Sequence, residues 1–216
     1  MSTYTLVIGN KNLSSWSLRP WLALKMAGVP FDEIQVRLDQ PETRASIGQY
    51  SAAGKVPVLK IAEDGKTQTV WDSLAICETI AERHPEAKLW PNDPKARAMA
   101  RSYAAEMHSG FIDVRQNLPM DFARSIPTPV LNETTAKQVA RIIAAWEAAL
   151  AAHDGGFLFG SFSIADCMYA PVVSRFFTYG IALPKASAAY VERMLALPAL
   201  LEWKAAAEAE LARGWK

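Results

Sequence analysis

The sequence predicts an α/β N-terminal domain followed by an all-α C-terminal domain, and three observations carry that reading. Strand-like and helix-like segments alternate over the first 84 residues, prolines crowd the stretch 85–94, and beyond it the composition turns Ala-rich and helical. The expected division is a domain at 1–84, an extended linker at 85–94 and a second domain at 95–216. With 216 residues, 50% of them hydrophobic, the chain can bury a sizeable core.

Residues 4–8 (Tyr-Thr-Leu-Val-Ile) are short and β-prone, which predicts a first strand. Residues 17–27 carry helix formers, with Pro20 near the start and Gly28 as a stop, so they predict a helix. "FDEIQVRL" at 31–38 alternates as a strand does, and "KVPVLKIAEDGKTQTVWDS" reads as a hairpin turning at Asp64-Gly65. Between them, 39–54 is polar and rich in small residues, which suits a long loop or one irregular helix. "SLAICETIAERH" at 73–84 spaces its apolar residues as a helix and stops before Pro85. In the second half, helices are expected at 94–118, 132–153, 164–179, 187–196 and 198–213.

The bulk numbers exclude several function classes. Lys plus Arg is 23 against 22 for Asp plus Glu, a net charge of +1, so no electrostatic footprint for nucleic acid or an anionic membrane is expected. Cys77 and Cys167 stand far apart, with neither a CxxC pair nor a Cys/His cluster, so no metal site and no dithiol motif is expected. Both read as core residues of a protein in a reducing compartment. The N-terminal run is too short and too weakly basic for a signal peptide, and no apolar stretch reaches 18 residues, so a cytoplasmic protein is expected.

Four places could carry chemistry. "NLSSWSLRPWLAL" at 12–24 sets Ser14, Ser15 and Ser17 around Trp16 ahead of the first helix, where a single serine would suffice as a cap. Val56-Pro57 puts a proline where an inner strand should start, which suits either an ordinary strand beginning or a cis peptide exposing the Val56 main chain to a peptide-like ligand. Asp72-Ser73 opens the 73–84 helix. Either residue suits a plain cap, and the pair also suits an α-amino acid head group, its carboxylate at the helix end and its ammonium on Asp72. "EMHSGFIDVRQNLPM" at 106–120 is the most polar patch of the second half, with His108 and Arg115 as candidate pocket-wall residues. Ser163 and Asp166 fit a capping box, a structural feature.

Taken in order, "SSWSLRPWLAL", "GKVPVLKI", "WDSLAICETIAE" and "SFSIADC" resemble the cytosolic glutathione transferases over essentially the whole chain. The resemblance implies a thioredoxin-like N-terminal domain, a helical C-terminal domain, glutathione as co-substrate without a metal, and a homodimer. The serine cluster is most similar to the serine-type zeta class, with signature Ser-Ser-Cys-x-x-Arg. Ser14, Ser15 and Arg19 match it, Trp16 occupies the place of its cysteine, and Asp72 stands where other classes carry Glu or Gln.

By that resemblance Ser14, with Ser15 second, stabilises the glutathione thiolate, and Ser17 is left as the plain cap. Val56 next to a cis Pro57 would pair with the peptide, Asp72 and Ser73 would hold the γ-glutamyl head group, and Lys55 would reach a carboxylate. The electrophilic co-substrate would lie by Trp16, His108 and Arg115. The implied activity is thiolate transfer to an electrophilic small molecule. The alternatives are an isomerase of the maleylacetoacetate type and a non-enzymatic binding module. With no cysteine among residues 14–17, mixed-disulfide chemistry of the omega type is not expected.

Overall fold

A computed structural model describes residues 2–215, so the outermost residues of the two expected domains, 1 and 216, lie outside it. Strand β1 (Thr3–Ile8) runs through the middle of a four-stranded sheet of order β2-β1-β3-β4. β2 (Asp32–Gln35) pairs parallel to it, β3 (Val58–Glu63) pairs antiparallel to it on the other side, and β4 (Lys66–Trp71) pairs antiparallel to β3. The apolar run of β1 reflects burial on both faces. Leu6 and Ile8 join the main core, and Val7 packs with Val36, Ile47 and Val58 in a smaller cluster.

Helix α1 (Ser15–Met26) is buried along almost its whole length, packing against α3 (Ser73–Arg83) in its own domain and α7 (Ile164–Thr178) in the other. The hairpin turns at Asp64-Gly65, both with positive φ as a tight hairpin turn requires. The 39–54 stretch forms a single short helix, α2 (Thr43–Gly48). The expected strand at 31–38 is shorter: Asp32–Gln35 pair with β1, and the Val36 amide makes the last bond to it, on the Ile8 carbonyl at 2.8 Å. Beyond it the Leu38 amide donates instead to Asn10 Oδ1 at 2.8 Å.

The segment expected as an extended linker opens on a 3-10 turn, Pro85–Ala87, and buries Leu89, whose carbonyl accepts from the Ile164 amide at 2.8 Å. The second domain is all helix: α4 (Pro94–Ser109), α5 (Ile112–Asn117), α6 (Glu133–Ala152), α7, α8 (Lys185–Leu195) and α9 (Pro198–Ala212). The single helix expected at 94–118 is thus broken. Gly110 is extended, a Cβ there would stand 2.8 Å from the Glu106 carbonyl oxygen, and Phe111 is left-handed at φ 58°. The break buries the Phe111 ring, a gain that periodicity along one helix face does not reveal.

α7 is the buried axis of the helical domain. Its capping box forms as expected: Asp166 accepts from the Ser163 amide at 2.8 Å, and also from the Leu158 amide and the Tyr190 hydroxyl. Burial pushes the Asp166 carboxyl up to about 6, in spite of these donors. Cys77 and Cys167 are fully buried free thiols, both pushed up by burial, as expected of core residues.

Candidate active site

The N-termini of α1 and α3 open on one cavity of about 520 Å³, and it gathers most of the residues singled out in the sequence. Ser14, Ser15 and Trp16 line it from α1, Lys55, Val56 and Pro57 from the turn before β3, and Asp72 and Ser73 from α3. The Val56-Pro57 bond is cis.

Ser14, not Ser17, is the cap of α1. Its Oγ accepts from the Ser17 amide at 3.4 Å and donates to Ser17 Oγ at 2.7 Å. Ser17 lies inside the helix, fully buried, and its Oγ also accepts from the Gly9 amide at 3.1 Å. The Ser15 hydroxyl makes no hydrogen bond among the described residues.

At the other wall Asp72 caps α3, accepting from the amides of Leu74 at 2.8 Å and Ala75 at 3.4 Å, with φ at 75°. A positive φ is costly for a residue with a Cβ, and such outliers gather at functional sites. His108 of α4 pairs with the same carboxylate at 2.8 Å. Partial burial works to raise the Asp72 pKa. The hydrogen bonds from His108 and the Leu74 amide outweigh it and hold the carboxyl below its ordinary value. Ser73 is 1% exposed and its hydroxyl has no partner among the described residues, an orphan polar group at the mouth of a helix.

Trp16 is the junction with the helical domain. The guanidinium carbons of Arg19 and Arg115 lie 4.4 and 4.8 Å from its ring centroid, and His108 meets it edge-on at 5.4 Å. His108 and Arg115 thus pack on the Trp16 ring and do not line the cavity themselves. Arg115 is held by the carbonyls of Met107 and His108. Arg19 is fully enclosed, with Nε and Nη1 unpartnered among the described residues; burial, with Arg115 and Arg175 nearby, pulls it down to about 9, and it keeps its charge at neutral pH.

Sequence reasoning missed what holds the serine turn from behind. Glu210 of α9 is buried and accepts from the amides of Lys11 at 2.7 Å and Asn12 at 3.0 Å. Trp203 Nε1 donates to the Lys11 carbonyl at 2.7 Å, and the Asn12 side chain bridges Asp121 and the Ala123 amide. No local pattern signals these contacts, because their partners lie one to two hundred residues away in sequence. Among the described residues no group of His, Cys, Asp and Glu could hold a metal ion, and no helix is long and apolar enough to cross a membrane.

A thioredoxin-like sheet domain, with a ligand-sized cavity at two helix N-termini, followed by a helical domain, defines a two-domain class. Residues 13–83 match the family described as glutathione S-transferase, N-terminal domain, and residues 129–206 its C-terminal domain. The chain belongs to the glutathione S-transferase family. It is 33% identical over 161 residues, 74% of this chain and 72% of the relative, to a probable maleylacetoacetate isomerase of Caenorhabditis elegans. A Burkholderia glutathione transferase homologue solved with bound glutathione shares the fold at a TM-score of 0.71, with 24% identity and 98% and 99% of the two chains covered. A maleylacetoacetate isomerase from Anaeromyxobacter dehalogenans, with glutathione in its active site, is similar at a TM-score of 0.66, 28% identity and 94% and 96% coverage. Within the family the chain is zeta-like.

Proposed function

We propose that the protein binds glutathione in this cavity as the thiolate and transfers that sulfur to an electrophilic small molecule, with the Ser14 hydroxyl donating to the sulfur. The observation that carries the reading is the convergence on one cavity of Ser14, Ser15 and Ser73, the last with a hydroxyl unpartnered among the described residues, each at a helix N-terminus. Such ends favour anions through their free amides and dipole.

The energetics are sufficient. A free thiol near pKa 8.5 is only about 3% thiolate at pH 7. Lowering it by about two units needs roughly 2.7 kcal/mol of preference for the anion. A hydrogen bond to a charged acceptor supplies about 1.5–3 kcal/mol, and a helix N-terminus roughly 0.3–1 more. Serine acts here as a donor, since its own pKa is far too high for it to serve as a base.

Asp72 takes the ammonium and Ser73 the carboxylate of the γ-glutamyl group, Lys55 reaches a second carboxylate, and the Val56 main chain pairs with the peptide. The electrophile lies against Trp16, on whose ring His108 and Arg115 pack. Thiolate formation and proximity supply the acceleration, with no covalent enzyme intermediate. The domain division at 84 and 95, a homodimer and a cytoplasmic location belong to the same reading.

The similarity to maleylacetoacetate isomerases favours a second reading. There the thiolate adds to the double bond of a conjugated cis acid, the bond rotates, and the thiolate leaves with glutathione returned. Trp16 stands where the zeta signature carries cysteine, so the reading above comes first. The test is to offer the purified protein glutathione with an activated aryl chloride, then with a conjugated cis diacid. Thioether formation that consumes glutathione is expected; isomerisation without consumption selects the second reading, and no glutathione binding overturns both.

A further inference from the structure

The Ser14–Ser17 pair holds a hydrogen too many for its acceptors. Ser17 Oγ is fully buried, accepts from the Gly9 amide at 3.1 Å and from the Ser14 hydroxyl at 2.7 Å, and so has both its lone pairs in use. Its own hydrogen then has no acceptor among the described residues. Reversing the one bond between the two hydroxyls removes the conflict without moving an oxygen. Ser17 then donates to Ser14, and the Ser14 hydrogen is released towards the cavity that Ser14 lines. The reversed order, Gly9 amide to Ser17 to Ser14, is a chain of donors pointing one way, and such chains strengthen their last member.

Resting on the thiolate reading above, we infer that Ser17 is a positioning residue. Through its bond to Ser14 and its anchor on the Gly9 amide, it turns and polarises the Ser14 hydroxyl towards the sulfur of bound glutathione. Each hydroxyl hydrogen stays on its own oxygen and only rotates; the thiol proton leaves to water. Ser15, one residue on, has no such partner, which singles out Ser14 within the cluster.

The experiment is a pH titration of the thiolate absorbance of bound glutathione, alongside calorimetric affinity, in the wild type, Ser14→Ala, Ser17→Ala, the double variant and Ser17→Thr. Ser17→Ala should raise the bound thiol pKa by about half a unit to one unit, a roughly three- to tenfold fall in its acid dissociation constant, with glutathione affinity within a few-fold. In the Ser14→Ala background Ser17→Ala should add nothing, and Ser17→Thr, which keeps the hydroxyl, should restore most of the shift. A wild-type pKa in Ser17→Ala, or the same shift with and without Ser14, overturns the relay while leaving the thiolate reading intact. A wild-type pKa in Ser14→Ala overturns the role of Ser14 and the relay with it.

Discussion

Two helix N-termini face the same cavity and are capped in opposite chemical senses. At α1 the cap is a hydroxyl, Ser14, which accepts one long bond from its helix and carries a hydrogen of its own, paired with Ser17 Oγ at 2.7 Å. At α3 the cap is a carboxylate, Asp72, which accepts from two amides and from His108 and has nothing to donate; the donor there is its neighbour, the unpartnered Ser73. On the proposed function, one end meets a developing anion and the other receives a ligand that carries both charges. Their supports differ too. The α1 end hangs on a loop latched from the far domain by Glu210 and Trp203, whereas the α3 end follows directly from the sheet through β4.

The sharpest break of that contrast separates binding from activation. Asp72→Ala removes the ammonium partner and the cap together, so calorimetry should show glutathione binding weakened about tenfold or more, with the thiol pKa of what still binds moved by less than about half a unit. Ser14→Ala should do the reverse, raising the bound pKa by about one unit or more while affinity stays within a few-fold. A shift in Ser15→Ala but not in Ser14→Ala would move the role one residue along.

The latch predicts a smaller effect. Glu210→Gln has one carbonyl oxygen to serve the Lys11 and Asn12 amides that the carboxylate serves with two. Losing one such bond costs about 1–2 kcal/mol, a fall of roughly 2–8 °C in thermal midpoint, and the bound thiol pKa should rise by about half a unit as the serine turn loosens. An unchanged pKa with a lowered midpoint would make the latch purely structural.

The smallest effect concerns pH. Because the Asp72 carboxyl is held below its ordinary value, it stays ionised as pH falls, so ammonium binding should persist to about pH 4 and be lost only below that. His108→Ala removes one of the bonds holding it down, and the acid limb of the binding profile should move to higher pH.

What the sequence made legible follows the range of the forces involved. Local geometry was legible: the Asp64-Gly65 turn and the capping box at Ser163 form as short-range residue types require, and the serine, proline and Asp72-Ser73 stretches meet at one cavity. The break at Gly110 was not legible, because burial of Phe111 decided it against helix periodicity. Nor was the inner role of Ser17, which depends on the Gly9 amide, or the latch, which depends on α9 reaching across to the first domain. His108 and Arg115 were read as cavity walls from their polarity alone; the fold spends them on Asp72 and on the Trp16 ring.

The central proposal is that the cavity holds glutathione as its thiolate, stabilised at the α1 end. It is tested most directly by titrating the ultraviolet thiolate absorbance of glutathione bound to the wild-type protein. The account predicts a bound pKa between one and two units below that of the free thiol, about 8.5. Glutathione that binds with an unshifted pKa would contradict it.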